Sequence, residues 1–129
     1  MELRDKVVVI TGGTGGIGQA MAKAFKAEGA RAIMLADLDR DRVASVAATL
    51  GCDGMACDVT READVAELVR VTEARHGPVD LFCSNAGAGG EGVLTDASNE
   101  VWQKQWELHV MSHLYAARAV LPSMLARKS

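Results

Sequence analysis

The segment TGGTGGIG at residues 11–18 constrains the fold of this chain more than any other part of the sequence. Five of its eight residues are glycine. Glycine loses more backbone entropy on folding than any other residue, so such a run needs a structural reason. The segment follows the short β-branched run VVVI (Val7 to Ile10) and precedes apolar residues at helical spacing. The pattern therefore predicts a strand–turn–helix unit in which another group approaches the backbone of the turn so closely that side chains are excluded.

An anion is the partner that this turn suits best, because free backbone N–H groups and the helix dipole attract negative charge there. Gly12 is expected to permit the tight turn, and Gly18 to let the helix and the strand pack closely. Gly15 and Gly16 would let a pyrophosphate approach the backbone. The general G-x-G-x-x-G frame also fits, beginning at Gly13. The alternative is a glycine turn with a purely structural role.

Apolar runs and helical spacings alternate along the rest of the chain. Strands are predicted at 7–10, 31–36, 54–58 and 79–84, and helices at about 17–29 (with Gly29 as C-cap), 39–50, 65–76 and from about Asn99 nearly to the end, with a kink at Pro122. This alternation predicts a single α/β domain over residues 1–129. We expect a Rossmann-type doubly wound parallel sheet of about four strands in the order 3-2-1-4.

Composition excludes several classes of partner. The net charge is −3 and the basic residues are scattered, which argues against nucleic acid. No window approaches the roughly 20 apolar residues of a membrane-spanning helix. The three cysteines, Cys52, Cys57 and Cys83, lack zinc-like pairing. We therefore expect structural thiols in a reducing cytoplasm.

Asp37 ends the second predicted strand, 19 residues after Gly18. A carboxylate at that place can accept hydrogen bonds from a ribose diol. The alternatives are a solvated turn aspartate or a neighbour of the cap of the helix that starts near Asp39. Domains that bind S-adenosylmethionine share the same glycine loop and acid, so this pair alone does not name the ligand.

Three motifs together resemble the short-chain dehydrogenase/reductase family. They are T-G-x-x-x-G-x-G at residues 11–18, CDVT at the end of the third predicted strand and SNAG at the end of the fourth. The resemblance spans the whole chain. It implies an oxidoreductase that transfers a hydride between NAD(H) and an alcohol or carbonyl substrate, with a Tyr as general acid–base supported by Lys and Ser.

The resemblance also implies roles for individual residues. The implied contacts are Gly12, Thr14, Gly15, Gly16, Ile17 and Gly18 with the pyrophosphate, Asp37 and Leu38 with the adenosine ribose, Asp58 and Val59 with the adenine, and Asn85, Ala86 and Gly87 on the way to the nicotinamide ribose. Asp58 or Thr60 could instead cap the third helix, and Asn85 could only tie its strand to the neighbours. NAD is expected to bind better than NADP, because no Arg or Lys at Gly15 or Leu38 offsets the charge of Asp37.

His109 departs from the family pattern. The family carries an Asn seven residues after a Trp, and the corresponding position after Trp102 is His109. A histidine there could relay a proton as a catalytic residue, or it could be a tolerated replacement. His113 lies one helical turn away, but Val110 stands where the Glu of H-E-x-x-H would be, so we expect no metal site.

The family's catalytic Ser and Tyr-x-x-x-Lys lie on later elements. The single tyrosine is Tyr115, and Ala119 stands where the lysine is required. We therefore expect residues 1–129 to be the cofactor-binding half, truncated before the catalytic segment and inactive by itself. The fourth strand would then have a free edge. The alternatives are a non-catalytic dinucleotide-binding module and an interaction subunit that pairs through the 101–125 helix. A homo-oligomer through that helix is expected.

Overall fold

A computed structural model describes residues 2–128. Met1 and Ser129, the ends of the predicted domain, lie outside the described residues. The strands are β1 Val7–Thr11, β2 Ala32–Asp37, β3 Asp53–Ala56 and β4 Leu81–Cys83, and the helices are α1 Gly16–Ala27, α2 Arg40–Leu50, α3 Glu62–His76, α4 Asn99–Trp106 and α5 Ser112–Arg127. A π-helical turn at Glu107–Met111 joins α4 to α5.

The four strands form one parallel sheet in the order β3-β2-β1-β4. In its central register Val9 lies opposite Met34 on one side and Phe82 on the other. The predicted Rossmann-type α/β fold and strand order are confirmed. The carboxyl ends of β1, β2 and β4 meet at one edge of the sheet, as parallel strands require.

Strand β1 is the buried centre of the molecule, because helices cover both faces of the sheet. Val8 packs in a cluster with Ala22 of α1 and Ala47 of α2. Val9, the next residue, packs on the opposite face with Leu68 of α3. A strand buried on both faces needs no polar residues, which explains the continuous apolar run in the sequence.

Several element boundaries differ from the prediction. The third strand ends at Ala56, so Asp58 lies two residues beyond it. The chain turns there because the Asp58 carboxylate accepts hydrogen bonds from the Thr60 N–H and hydroxyl, at 3.0 and 2.7 Å. The N-cap of α3 is Arg61, whose side chain makes no cap bond. The interpretation of Asp58 or Thr60 as the cap of this helix is therefore wrong.

The first and last helices also differ from the prediction. Helix α1 ends at Ala27 with Glu28 as C-cap, and Gly29 follows with a φ of +85°. The long final helix is interrupted by the π-helical turn rather than running evenly from Asn99. Pro122 lies inside α5, and the kink expected there stays a prediction. Within residues 2–128 every helix is too short or too polar to cross a bilayer.

Candidate functional site

Two adjoining cavities open at the carboxyl ends of the strands. The first has a volume of about 280 Å³ and is lined by Gly12, Thr14, Gly15, Gly16, Ile17, Gly18, Asp37, Arg42, Asn85 and Gly87. The second, of about 470 Å³, shares Gly12, Asp37 and Gly87 with the first and adds Leu38, Asp58, Val59 and Ala86 among others. Every residue that the sequence predicted as a cofactor contact lines one of these cavities.

The glycine loop is shaped by contacts that exclude side chains. Gly12 has a φ of +64°, and a Cβ on it would lie 2.9 Å from the Ala86 Cα. A Cβ on Gly18 would lie 2.3 Å from the Gly12 carbonyl oxygen. Gly18 therefore lets α1 pack on the loop rather than on a strand, which corrects the expected role. The close contact with the sheet belongs to Gly13, whose Cβ would lie 2.9 Å from the Leu35 Cβ.

The beginning of α1 is open on its cavity side. A Cβ on Gly16 would meet no atom within 4 Å. Gly15 is the N-cap and offers no side chain to the first N–H groups of the helix, and no acidic residue occupies the first turn. The backbone N–H groups of a first helical turn lack partners within the helix. The site therefore suits an anion such as a pyrophosphate.

Asp37 is hydrogen-bonded to the glycine loop rather than free in solvent. Its Oδ2 accepts bonds from the Thr14 hydroxyl at 2.5 Å and from the Thr14 N–H at 3.2 Å. Its Oδ1 accepts a bond from the Leu38 N–H at 2.9 Å. Asp39 is the N-cap of α2 and accepts bonds from its first turn. The carboxylate that the sequence predicts for a ribose is thus held in a defined position.

Two further side chains reach the same loop and were missed by sequence reasoning. The Thr14 carbonyl oxygen accepts a bond from Gln19 Nε2 at 2.8 Å and from Arg42 Nη2 at 3.2 Å. Arg42 also lines the first cavity. Helical side chains lean toward the helix N-terminus, so an Arg in the first turn of α2 points back to the strand end. This orientation of helical side chains is the feature from which the position of Arg42 could have been predicted.

Asn85 joins the end of β4 to the end of β1. Its Nδ2 donates to the Thr11 carbonyl oxygen at 3.0 Å, and its backbone N–H donates to the Thr11 hydroxyl at the same distance. The Ala86 N–H donates to that hydroxyl at 3.2 Å. Asn85 therefore ties β4 to β1, which is one of the two roles that the sequence predicts for it. Thr11, the first residue of the T-G-x-x-x-G-x-G motif, is buried and accepts all three of these bonds.

The second cavity carries a buried thiol on its wall. Burial, followed by the charges of Asp64 and Asp58, raises the pKa of the Cys57 thiol to about 12. This thiol therefore stays neutral near pH 7 and is a poor nucleophile. Cys52, Cys57 and Cys83 are all free thiols.

His109 lies in the π-helical turn and contacts the segment that follows β4. Its Nε2 is 3.0 Å from the Ala88 carbonyl oxygen, and a Cβ on Gly87 would lie 2.9 Å from its Cε1. His109 itself lines a separate cavity of about 870 Å³ between the 90–97 loop and α4. That larger cavity contains no residue of the glycine loop, so we assign the candidate site to the two smaller ones.

The remaining sequence candidates lie elsewhere. Tyr115 and Ala119 pack against the core cluster between the sheet, α3 and α5. Within residues 2–128, no group of three or more His, Cys, Asp or Glu side chains is arranged to hold a metal ion.

Several known proteins resemble this chain in sequence. The short chain dehydrogenase family model matches residues 6–129. An uncharacterized oxidoreductase of Staphylococcus saprophyticus is 33% identical over 135 residues, covering 100% of this chain and 57% of the relative. One of Staphylococcus aureus (strain MRSA252) is 33% identical over 130 residues, covering 98% and 56%. The chain thus spans about half the length of the curated relatives that it matches.

Solved structures also resemble this chain in fold. A short-chain dehydrogenase/reductase from Burkholderia phymatum in complex with NAD superimposes with a TM-score of 0.92 at 32% identity, covering 100% of this chain and 47% of the other. A glucose/ribitol dehydrogenase of the same class from Brucella melitensis gives 0.88 at 28% identity, covering 95% and 53%. The glycine loop, the strand order and these matches lead to one conclusion: the chain belongs to the short-chain dehydrogenase/reductase family of oxidoreductases.

Proposed function

We propose that this chain binds NAD(H) across the two adjoining cavities and forms the dinucleotide-binding part, residues 1–129, of an oxidoreductase acting on an alcohol or carbonyl substrate. The observation that carries the proposal is the convergence of the glycine loop, Asp37 and Asn85 on one cavity at the strand ends. The NAD complex of the Burkholderia neighbour supports it. When bound, the nicotinamide ring donates or accepts the hydride.

Each part of the site has its own task in this proposal. The start of α1 binds the pyrophosphate through Gly15 to Gly18, and the Asp37 carboxylate accepts hydrogen bonds from the adenosine ribose beside Leu38. The adenine lies against Asp58 and Val59. Asn85, Ala86 and Gly87 line the way to the nicotinamide ribose, where Asn85 also holds β4 on β1.

The chemical step needs a positioned acid–base group, and the single tyrosine of the sequence, Tyr115, packs against the core cluster and lines neither cavity. By the family resemblance, a Tyr with a Lys and a Ser would act there in the full-length enzyme. A positioned acid–base contributes about 10²–10⁴-fold to a rate. Residues 1–129 purified by themselves should therefore bind NAD and show no NADH turnover with alcohols or ketones.

Titration of NAD and NADP by calorimetry tests the cofactor assignment. A 2′-phosphate beside Asp37 meets a like charge, worth about 1–4 kcal/mol at effective dielectrics of ~80 to ~20. NAD should bind more tightly than NADP, and Asp37→Ala should narrow the gap, chiefly by improving NADP binding. Equal or tighter binding of NADP by the unsubstituted chain would contradict the preference. Binding of neither cofactor would contradict the proposed function.

Exposed apolar side chains on α4 and α5 support a second role, pairing with another copy of the chain. Trp102 and Trp106 of α4 are 49% and 55% exposed, and Leu121 and Leu125 of α5 are 46% and 73% exposed. Exposed apolar surface favours association. This role is compatible with cofactor binding, and sedimentation of the purified chain distinguishes a dimer from a monomer.

The proposal also places the protein in the cytoplasm, where three free thiols stay reduced. Nucleic acid and membrane surfaces are not part of it. Cell fractionation followed by immunoblotting tests the location.

A further inference from the structure

A guanidinium group stands at the ribose end of the glycine-loop cavity. Arg42, in the first turn of α2, lines this cavity together with Asp37 and donates from Nη2 to the Thr14 carbonyl oxygen. The Thr14 hydroxyl in turn donates to the Asp37 carboxylate. One residue therefore separates the positive group from the negative one. A guanidinium has five N–H donors, and the bond to Thr14 uses one of them.

The Asp37 carboxylate is already engaged by three donors. The Thr14 hydroxyl and N–H donate to Oδ2, and the Leu38 N–H donates to Oδ1. These three hydrogen bonds fix the orientation of the carboxylate. An adenosine ribose held by this carboxylate would place its 2′ position in a cavity that contains one fixed anion and one adaptable cation. The 2′ substituent then experiences both charges.

We propose that Arg42 is a cofactor-specificity residue that binds an adenosine 2′-phosphate, so that this chain accepts NADP as well as NAD. The inference rests on the proposed dinucleotide function. Arginine suits the task because it is always charged and matches the geometry of a phosphate with two parallel N–H bonds. Asp37 favours the 2′-hydroxyl and Arg42 favours the 2′-phosphate. Arg42 thereby narrows the preference for NAD without reversing it.

Arg40 provides a matched control. It lies two residues earlier in the same first turn, carries the same charge and lines neither of the two cavities. Arg42→Gln and Arg40→Gln change the net charge equally, so any difference between them reports the local contact. Calorimetric titration of each variant with NAD and with NADP gives the ratio of the two dissociation constants.

Arg42→Gln should raise the dissociation constant for NADP about tenfold, which corresponds to ~1.4 kcal/mol, and change that for NAD less than about twofold. Arg40→Gln should leave the ratio unchanged. Arg42→Lys should recover part of the NADP affinity because it keeps the charge. Competition by 2′,5′-ADP, but not by 5′-AMP, should weaken in Arg42→Gln.

Two results would overturn the inference while leaving the proposed function in place. If Arg42→Gln weakens NAD and NADP by the same factor, Arg42 only braces Thr14 and the loop. If the ratio is unchanged, the guanidinium does not contact the 2′-phosphate. Thermal unfolding of each variant separates these outcomes from loss of the fold. An unsubstituted chain that binds neither dinucleotide would instead contradict the proposed function itself.

Discussion

Gly16 and Gly18 lie two residues apart at the start of α1, yet their surroundings differ completely. A Cβ at Gly18 would lie 2.3 Å from the Gly12 carbonyl oxygen, whereas one at Gly16 would meet no atom within 4 Å. The atom that crowds Gly18 belongs to the backbone and cannot swing away. The empty space at Gly16 is where we propose that the pyrophosphate approaches. One glycine therefore serves the fold, and the other serves the ligand.

Alanine at each position separates these two requirements. Gly18→Ala should lower the free energy of unfolding by about 2–3 kcal/mol, because a methyl group is forced against backbone. Gly16→Ala should leave that free energy unchanged or raise it by up to ~1 kcal/mol through better helix propensity. It should nevertheless weaken NAD binding. Denaturant unfolding and NAD titration measure the two effects. If Gly16→Ala binds NAD with normal affinity, the pyrophosphate does not approach the backbone at Gly16.

At the scale of the elements, the sequence predicted what depends on local pattern. The buried run at Val7 to Ile10 predicted a central parallel strand, because a sheet covered on both faces leaves a continuous apolar run. The alternation of strands and helices predicted the doubly wound α/β class and, with it, the strand order. The contacts of Thr14 and Arg42 were not predictable in the same way. They join residues on different elements, and no periodicity in the sequence encodes them.

The π-helical turn at Glu107–Met111 was missed for a related reason. An i→i+5 turn has no composition of its own, and such turns occur often at functional sites. This one brings His109 onto the segment after β4, with Nε2 3.0 Å from the Ala88 carbonyl oxygen. The sequence identified the residue by its departure from the family pattern. Only the structure identifies the surface that it contacts.

The role of His109 can be tested in a full-length enzyme that contains this segment. An imidazole can both accept and donate a proton. If His109 relays a proton, the reaction rate should therefore depend on pH in a way that changes when this side chain is replaced. His109→Asn should keep activity but shift its pH dependence. His109→Leu should abolish activity and leave NAD affinity nearly unchanged. Equal activity and equal pH profiles in all three proteins would leave His109 with a packing role only.

At the scale of the whole molecule, the candidate site and a cluster of charged side chains lie at opposite edges of the sheet. The cavities lie at the carboxyl ends of the strands, and an ionic cluster around Asp80 lies at the amino ends. Asp80 exchanges two backbone-anchored bonds with Val7, since its N–H donates to the Val7 carbonyl and its carboxylate accepts the Val7 N–H, both at 2.9 Å. Arg127 of α5 and Lys6 lie 3.3 and 3.8 Å from its other carboxylate oxygen.

This cluster joins the first strand, the edge strand and the last helix, and its charge sets a pH dependence. Burial by itself raises the pKa of the Asp80 carboxyl, but the Val7 N–H and the Arg127 and Lys6 charges outweigh it and hold the pKa below its ordinary value. A carboxyl whose pKa is lower in the folded state stabilises the fold above its unfolded pKa of ~4. The contribution is lost as the pH falls through the folded pKa.

Asp80→Asn should therefore lower the free energy of unfolding by about 1–2 kcal/mol at pH 7, because it removes the charged acceptor shared by a backbone N–H and Arg127. Glu91→Gln, in an exposed loop, changes the charge equally and should have almost no effect. The difference between the unsubstituted chain and Asp80→Asn should shrink below about pH 4, since protonation removes the same charge. Urea unfolding of the three proteins from pH 7 to pH 3 measures this difference. A constant difference over that range would show that the Asp80 charge does not hold β1, β4 and α5 together.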